Sequence, residues 1–218
     1  MDNTVTVQGM VIKSQPVGEF DRRIVILTKE SGKISVYARG ARKINSSFAA
    51  ASNPFTFGSF HLYVKNHSYY LEEVEVRNYF PEMRSDMRKA LYGMYFLEIA
   101  DYYGRENNDE LNMLILLYQS VSALLNENFS NRFVRTVFEL KVIMVNGEFP
   151  GIGNGNFLPG TINAVEYLVN CPAKQTYSFR VTDEISEELK EIAKCACEKT
   201  FNGKEFTALQ LIEGNDAI

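Results

Sequence analysis

Histidine, cysteine and long apolar runs are all scarce in this 218-residue chain, and each scarcity removes a class of function. The two histidines, His61 and His67, fall in one predicted β-hairpin. With no G-x-S-x-G element and no Cys–His signature, a nucleophilic triad has nothing to form from. Both are read as half-exposed strand and turn residues. The three cysteines include no C-x-x-C pair. Cys195 and Cys197, two apart on a predicted helix, diverge by about 200°, and Cys171 precedes Pro172. Structural zinc needs four converging ligands, so no metal is expected. The odd count, without framework spacing, suggests a reducing compartment. No run reaches the ~18 apolar residues that span a bilayer. The first residues, MDNTVTVQGM, lack a basic region followed by an apolar stretch, so no signal peptide is expected and the location expected is cytoplasmic. There is no Walker motif. The run Gly151-Ile152-Gly153-Asn154-Gly155 follows a predicted helix and lies between Pro150 and Pro159, whereas a phosphate cradle needs a strand feeding a helix N-terminus. It is read as a flexible connection, and neither an enzyme nor a cofactor is expected.

Cations are not scarce, but they are unevenly placed. The chain carries a net charge of −4 and is 45% hydrophobic, enough to bury a core of one large or two small domains. Residues 1–80 hold ten Lys/Arg against seven Asp/Glu; residues 81–218 hold thirteen against twenty. Between Asp21 and Asn45, seven cations (Arg22, Arg23, Lys29, Lys33, Arg39, Arg42 and Lys43) face two acids, Asp21 and Glu30. Such a local excess asks for an anionic partner.

The hydrophobic period changes at the same place as the charge. Residues 4–12, 33–39 and 59–65 alternate, 22–29 are β-branched and nearly continuous, and 69–77 change phase between Leu71 and Val74 as a bulged strand would. Turn chemistry at Glu30-Ser31-Gly32 and Lys65-Asn66-His67-Ser68 separates the strands. Five strands in this length read as a small antiparallel barrel of OB-fold size. From Pro81 the pattern is helical. Ser85 is the expected cap of a helix to about Tyr103, and Asn108 or Asp109 starts the next. Ser130 opens a third that Gly147 closes, and two more are expected at about 161–170 and 183–201. Strands first and helices after indicate an α+β chain of two domains, 1–80 and 81–218. The Glu213-Gly214-Asn215-Asp216 end is expected to fray.

On the third strand, Lys33, Tyr37 and Arg39 point to one side while Ile34, Val36 and Ala38 point to the other. Arg42 and Lys43 follow just beyond Gly40. Such cations neutralise phosphates, and an exposed aromatic ring stacks on unpaired bases. An ordinary solvated strand face with scattered lysines is the alternative, and composition leaves both open.

Motif order adds to this. Gly18-Glu19-x-Asp21-Arg22, Leu27-Thr28-x-x-x-Gly32-Lys33, Arg39-Gly40-Ala41-Arg42-Lys43 and the C-terminal Phe201-x-Gly203-Lys204-x-Phe206 resemble, in order and over nearly the whole chain, the RecO family of bacterial recombination mediators. The resemblance implies an N-terminal OB-fold for DNA and a C-terminal all-helical, partner-docking domain. It implies a non-enzymatic DNA-repair function: binding single- and double-stranded DNA, annealing strands, and helping load RecA onto strands coated by single-stranded DNA-binding protein. The implied partners are that protein's acidic tail, RecR and, in some species, RecF. The implied location is cytoplasmic, at the nucleoid. The expected phosphate contacts are Lys33, Arg39, Arg42 and Lys43, then Arg22, Arg23 and Tyr37. The acidic tail needs a groove in the helical domain edged by cations, for which Arg132, Arg135 and Lys141 are the candidates. Many members carry a four-cysteine zinc finger where residues 147–160 here have no cysteine, so the finger reads as lost and the loop as mobile. Two other classes compete: an OB-fold RNA-binding protein and a protein-assembly adaptor without nucleic acid.

Overall fold

A computed structural model of the chain describes residues 3–216, with side chains to residue 214. Five strands come first: β1 (Thr4–Val17), β2 (Asp21–Thr28), β3 (Lys33–Ala38), β4 (Phe57–Lys65) and β5 (Ser68–Asn78). A single turn, α1 (Phe48–Ala51), lies between β3 and β4. After the strands come α2 (Glu82–Ser85), α3 (Met87–Tyr103), α4 (Leu111–Leu124), α5 (Asn131–Val145), α6 (Pro159–Asn170), α7 (Asp183–Phe201) and α8 (Thr207–Asp216), with a 3₁₀ turn at Ala173–Gln175. The chain divides into two compact units that are not consecutive in sequence. One holds the chain up to Ser85 together with Leu97–Leu114; the other holds Asp86–Phe96 and the chain from Ile115 onward. No helix among the described residues is long and apolar enough to cross a membrane.

The strands close in the order β1-β2-β3-β5-β4, the five-stranded Greek-key barrel of an OB-fold. Every pairing is antiparallel except β3 with β5. Alternation delivers one side chain in two to the interior, where Val7, Ile24, Ile26, Ile34, Val36, Phe60 and Leu62 form the core. The phase change expected in the last strand is a bulge: His61 pairs with Glu73 and Leu62 with Leu71, leaving Glu72 as the extra residue. A second bulge went unseen in the sequence. β1 shifts register against β2 between Val11 and Lys13, so Val11 and Ile12 are both buried and the strand runs on to Val17. Gly9 and Gly58 face each other where β1 meets β4, and a Cβ at either would run into a neighbouring backbone carbonyl.

The segment after α3 packs against the β2–β3 turn of its own unit. Gly32 bridges Glu106, and Lys33 N–H donates to the Arg105 carbonyl at 2.8 Å. Gly32 has φ +65°, and a Cβ there would strike the Arg105 carbonyl oxygen. Gly32→Ala combines left-handed strain with a backbone clash. We expect a loss of about 2–4 kcal/mol, measured by urea unfolding; a change under about 0.5 kcal/mol, the scale of an ordinary surface substitution, would show that this contact yields freely.

In the helical unit, Phe133, Val137 and Leu140 of α5 pack against Ala164, Val165 and Leu168 of α6 and Leu189, Ile192 and Ala193 of α7. Ser130 caps α5, its Oγ accepting from Phe133 N–H at 3.1 Å. The cap of α3 is Asp86, whose Oδ1 accepts from Lys89 N–H at 3.0 Å, rather than the expected Ser85, whose hydroxyl donates to the Glu82 carbonyl. The 147–160 connection expected to be mobile carries three apolar anchors, Phe149, Ile152 and Phe157, packed on this core. The end expected to fray is helical through Asp216; Ala217 and Ile218 lie outside the described residues.

Candidate nucleic-acid interface

Strand register assembles a row of side chains that no single strand shows. Arg23 of β2 lies opposite Tyr37 of β3, Tyr37 beside Tyr70 of β5, and Tyr70 opposite Tyr63 of β4. All four point outward, because their neighbours Ile24, Val36, Leu71 and Leu62 fill the barrel. Tyr37 and Tyr70 stack with ring centroids 5.6 Å apart and planes inclined by 26°. The Arg39 guanidinium lies 4.5 Å over the Tyr70 ring. Tyr63, 37% exposed, extends the row on the far side. The Arg23 Nε–H donates to Ser35 Oγ at 2.6 Å, which holds that cation on the same face.

Beyond Arg39 the chain enters a braced loop. Gly40, at φ +69°, donates its N–H to Asp21 Oδ1 at 2.7 Å. Arg42 donates its backbone N–H to the Phe20 carbonyl at 2.8 Å and its Nη1 to the Gly18 carbonyl at 3.0 Å. Lys43 Nζ sits 5.7 Å over the Phe20 ring. Among the described residues no carboxylate pairs with Arg39, Arg42 or Lys43, so their charge faces solvent uncompensated.

Two expected phosphate contacts have other work. Arg22 alternates with Arg23 and turns to the opposite face, where its Nη1 reaches Asn53 Oδ1 at 2.7 Å, Ser52 Oγ at 3.1 Å and the Ala49 carbonyl at 3.4 Å. It fastens the α1 turn to the barrel. Lys33 faces outward, yet its ammonium donates to the Asp101 carbonyl at 2.6 Å and to Asp101 Oδ1 at 3.1 Å. A cation on the carbonyls of a helix's last turn completes that end, here the end of α3. Lys13 adds a second cation on Asp101 Oδ2 at 3.6 Å.

Comparison with known proteins agrees with this architecture. The family model for the N-terminal part of recombination protein O matches residues 1–80, the whole barrel. The chain is similar to proteins of the RecO family, as its motif order led us to expect. It is 24% identical to DNA repair protein RecO of Acetivibrio thermocellus over 249 aligned positions, covering 99% of both chains. It is 29% identical to the same-named protein of Bacillus subtilis over 177, covering 81% of this chain and 64% of that one. It is 28% identical to that of Alkaliphilus metalliredigens over 146, covering 67% and 59%. The match therefore spans nearly all of the first relative and less than two thirds of the other two.

The helical unit holds a groove of about 600 Å³. Tyr95, Phe201, Phe206 and Leu209 supply its apolar wall; Arg132, Arg135, Lys190, Lys194 and Lys204 supply cations. At its base the buried Glu139 accepts from Tyr95 Oη and from Arg135 Nε, both at 2.8 Å. Arg135 also lies 5.6 Å over the Tyr95 ring and reaches Glu213 Oε1 of α8 at 3.3 Å. Burial, then the Glu139 charge, raises the pKa of the Tyr95 hydroxyl, and the same two causes raise that of the Cys197 thiol. Both groups are therefore protonated at neutral pH. Arg132 and Arg135 were expected here; Lys190, Lys194 and Lys204 were missed. The i, i+4 spacing of Lys190 and Lys194 on a helix was the available signal.

Lys141 does not edge this groove, contrary to expectation. It is 4% exposed, and its ammonium donates to the carbonyls of Leu168 and Cys171, each at 2.6 Å, at the C-terminal end of α6. Among the described residues no group of three or more His, Cys, Asp or Glu is placed to share a metal ion.

Proposed function

We propose that this chain is a non-enzymatic recombination mediator. It binds single- and double-stranded DNA on the barrel face, anneals complementary strands, and helps load RecA, together with RecR, onto strands coated by single-stranded DNA-binding protein. The observation that carries the reading is the outward row Arg23–Tyr37–Tyr70–Tyr63, continued by Arg39 and the Arg42–Lys43 loop. Three aromatic rings on adjacent strands give unpaired bases a surface to stack on, and the flanking cations track the phosphates. Annealing requires two polyanions to approach, and a cationic face lowers their repulsion. The helical groove supports the second half of the reading: an apolar wall rimmed by cations suits the acidic tail of single-stranded DNA-binding protein. Work on DNA coated in this way belongs in the cytoplasm, at the nucleoid.

The test is anisotropy of a labelled single strand titrated with protein across a salt series. A backbone-driven complex loses affinity steeply between about 50 and 200 mM salt, with log K linear in log salt. Tyr70→Ala is expected to weaken the complex by about 5- to 150-fold, the equivalent of ~1–3 kcal/mol for one stacked base, and to leave the salt slope unchanged. No binding at any salt concentration would refute the nucleic-acid reading; binding unaffected by Tyr70→Ala would remove the stacking surface from it.

A further inference from the structure

One apolar side chain stands apart in the loop that follows Arg39. Ile44, directly after Arg42 and Lys43, is 93% exposed. The segment that presents it is fixed rather than slack. Lys43 N–H donates to the Gly40 carbonyl at 3.0 Å and Ser46 N–H to the Lys43 carbonyl at 3.2 Å, while Asn45 adopts φ +64° to close the turn. The Arg42 backbone and side chain tie the same segment to Gly18 and Phe20, and the Phe20 ring, 46% exposed, sits under the Lys43 ammonium. The result is a rigid tip with one branched apolar group at its apex and cations on its flank.

We propose that Ile44 is a wedge that enters the base stack where a paired segment of DNA meets an unpaired one. This deepens, and rests on, the nucleic-acid reading of the barrel face. Proteins that insert an apolar side chain between base steps hold the adjacent phosphates with Arg or Lys, which is the chemistry of Arg42 and Lys43 beside Ile44. Insertion is least costly at a fork, because the last base pair has a stacking partner on one side only. The unpaired strand leaving the fork then has Tyr37 and Arg39, which come just before the tip in the chain, with Tyr70 packed beside both. A wedge so placed would hold a junction open or let it close behind a moving front, a property that bare charge does not give.

The experiment uses the full chain and a forked duplex carrying 2-aminopurine in its last base pair. Saturating wild-type protein is expected to raise the fluorescence as that base unstacks. Ile44→Ala is expected to reduce the rise by about twofold or more while changing affinity for a plain single strand by less than about twofold, and Ile44→Leu to restore it. A wild-type rise with Ile44→Ala at saturation would overturn the proposal. Binding by the wild type with no rise would overturn the wedge and leave the barrel-face reading intact, whereas no binding to any oligonucleotide at low salt would overturn both. The Ile44→Ala variant is also compared on phosphatidylglycerol vesicles. Loss of vesicle binding with the fork signal unchanged would assign the tip to a lipid surface and overturn the proposal.

Discussion

Reversing Arg39, Arg42 and Lys43 to glutamate together is expected to weaken single-strand binding by about 100-fold or more at 0.1 M salt. The magnitude follows from counterion release. Each phosphate neutralised on a single strand contributes about 0.7 to the slope of log K against log salt, so three lost contacts remove about two units of slope and about two decades of affinity at that concentration. Reversal adds repulsion to the loss. The barrel should stay folded, because all three side chains are exposed and Ile34, Val36 and Ala38, which hold this part of it, are untouched; only surface contacts such as that of Arg42 with the Gly18 carbonyl are lost. Lys33→Gln supplies the contrast. It removes the ammonium from the Asp101 carbonyl and carboxylate, so it should lower the melting temperature while leaving the salt slope within experimental error. If instead the triple variant keeps wild-type affinity and Lys33→Gln loses it, the interface lies toward the Lys33 end of β3 and not at the Arg39–Lys43 loop.

The contrast between Lys33 and Arg39 also shows what a linear sequence can and cannot convey. Alternation along β3 correctly separates Lys33, Ser35, Tyr37 and Arg39 from the barrel core, since the pleat fixes which way each residue points. It cannot say what comes to meet the outward face. Asp101 is 68 positions away along the chain, and its arrival converts a candidate phosphate contact into the completion of a helix end. Arg22 is a different case. Its position next to Arg23 on a strand already placed the two on opposite faces, so only one could have belonged to the interface. Tyr63 and Tyr70 were invisible for the same reason as Asp101. Each sits in its own alternating strand, and only the β3–β5 and β4–β5 registers bring them beside Tyr37. The strands and longer helices were legible because period and capping are local. The bulge at Ile12 was not, because an unbroken apolar run, Met10-Val11-Ile12, hides the extra residue.

Lys141→Met is expected to destabilise the protein by about 2–4 kcal/mol and to lower its melting temperature by about 5–15 °C. The ammonium lies among buried residues and satisfies two carbonyls, those of Leu168 and Cys171, at the end of α6. Methionine fills nearly the same volume but donates nothing, so two buried acceptors lose their partner, at about 1–3 kcal/mol each. Opposing this, methionine needs no desolvation of a charge, which for buried ions can offset much of the lost attraction. The acceptors decide the balance, because the substitution leaves the Cys171 carbonyl without that donor and the Leu168 carbonyl with only the weak Cys171 thiol at 3.8 Å. Lys194→Glu makes the complementary prediction. It lies exposed at the rim of the groove, so its effect on stability should stay within about 0.5 kcal/mol, while the affinity of a labelled aspartate-rich peptide should fall. Thermal melts and peptide anisotropy on the two variants therefore separate two roles that the sequence could not. A lysine that holds a helix end changes the melt, and one that faces an acidic partner changes the titration. Were Lys141→Met to melt like the wild type, the hydrogen bonds to the end of α6 would contribute little, and the packing of α6 on α5 would rest on its apolar contacts alone.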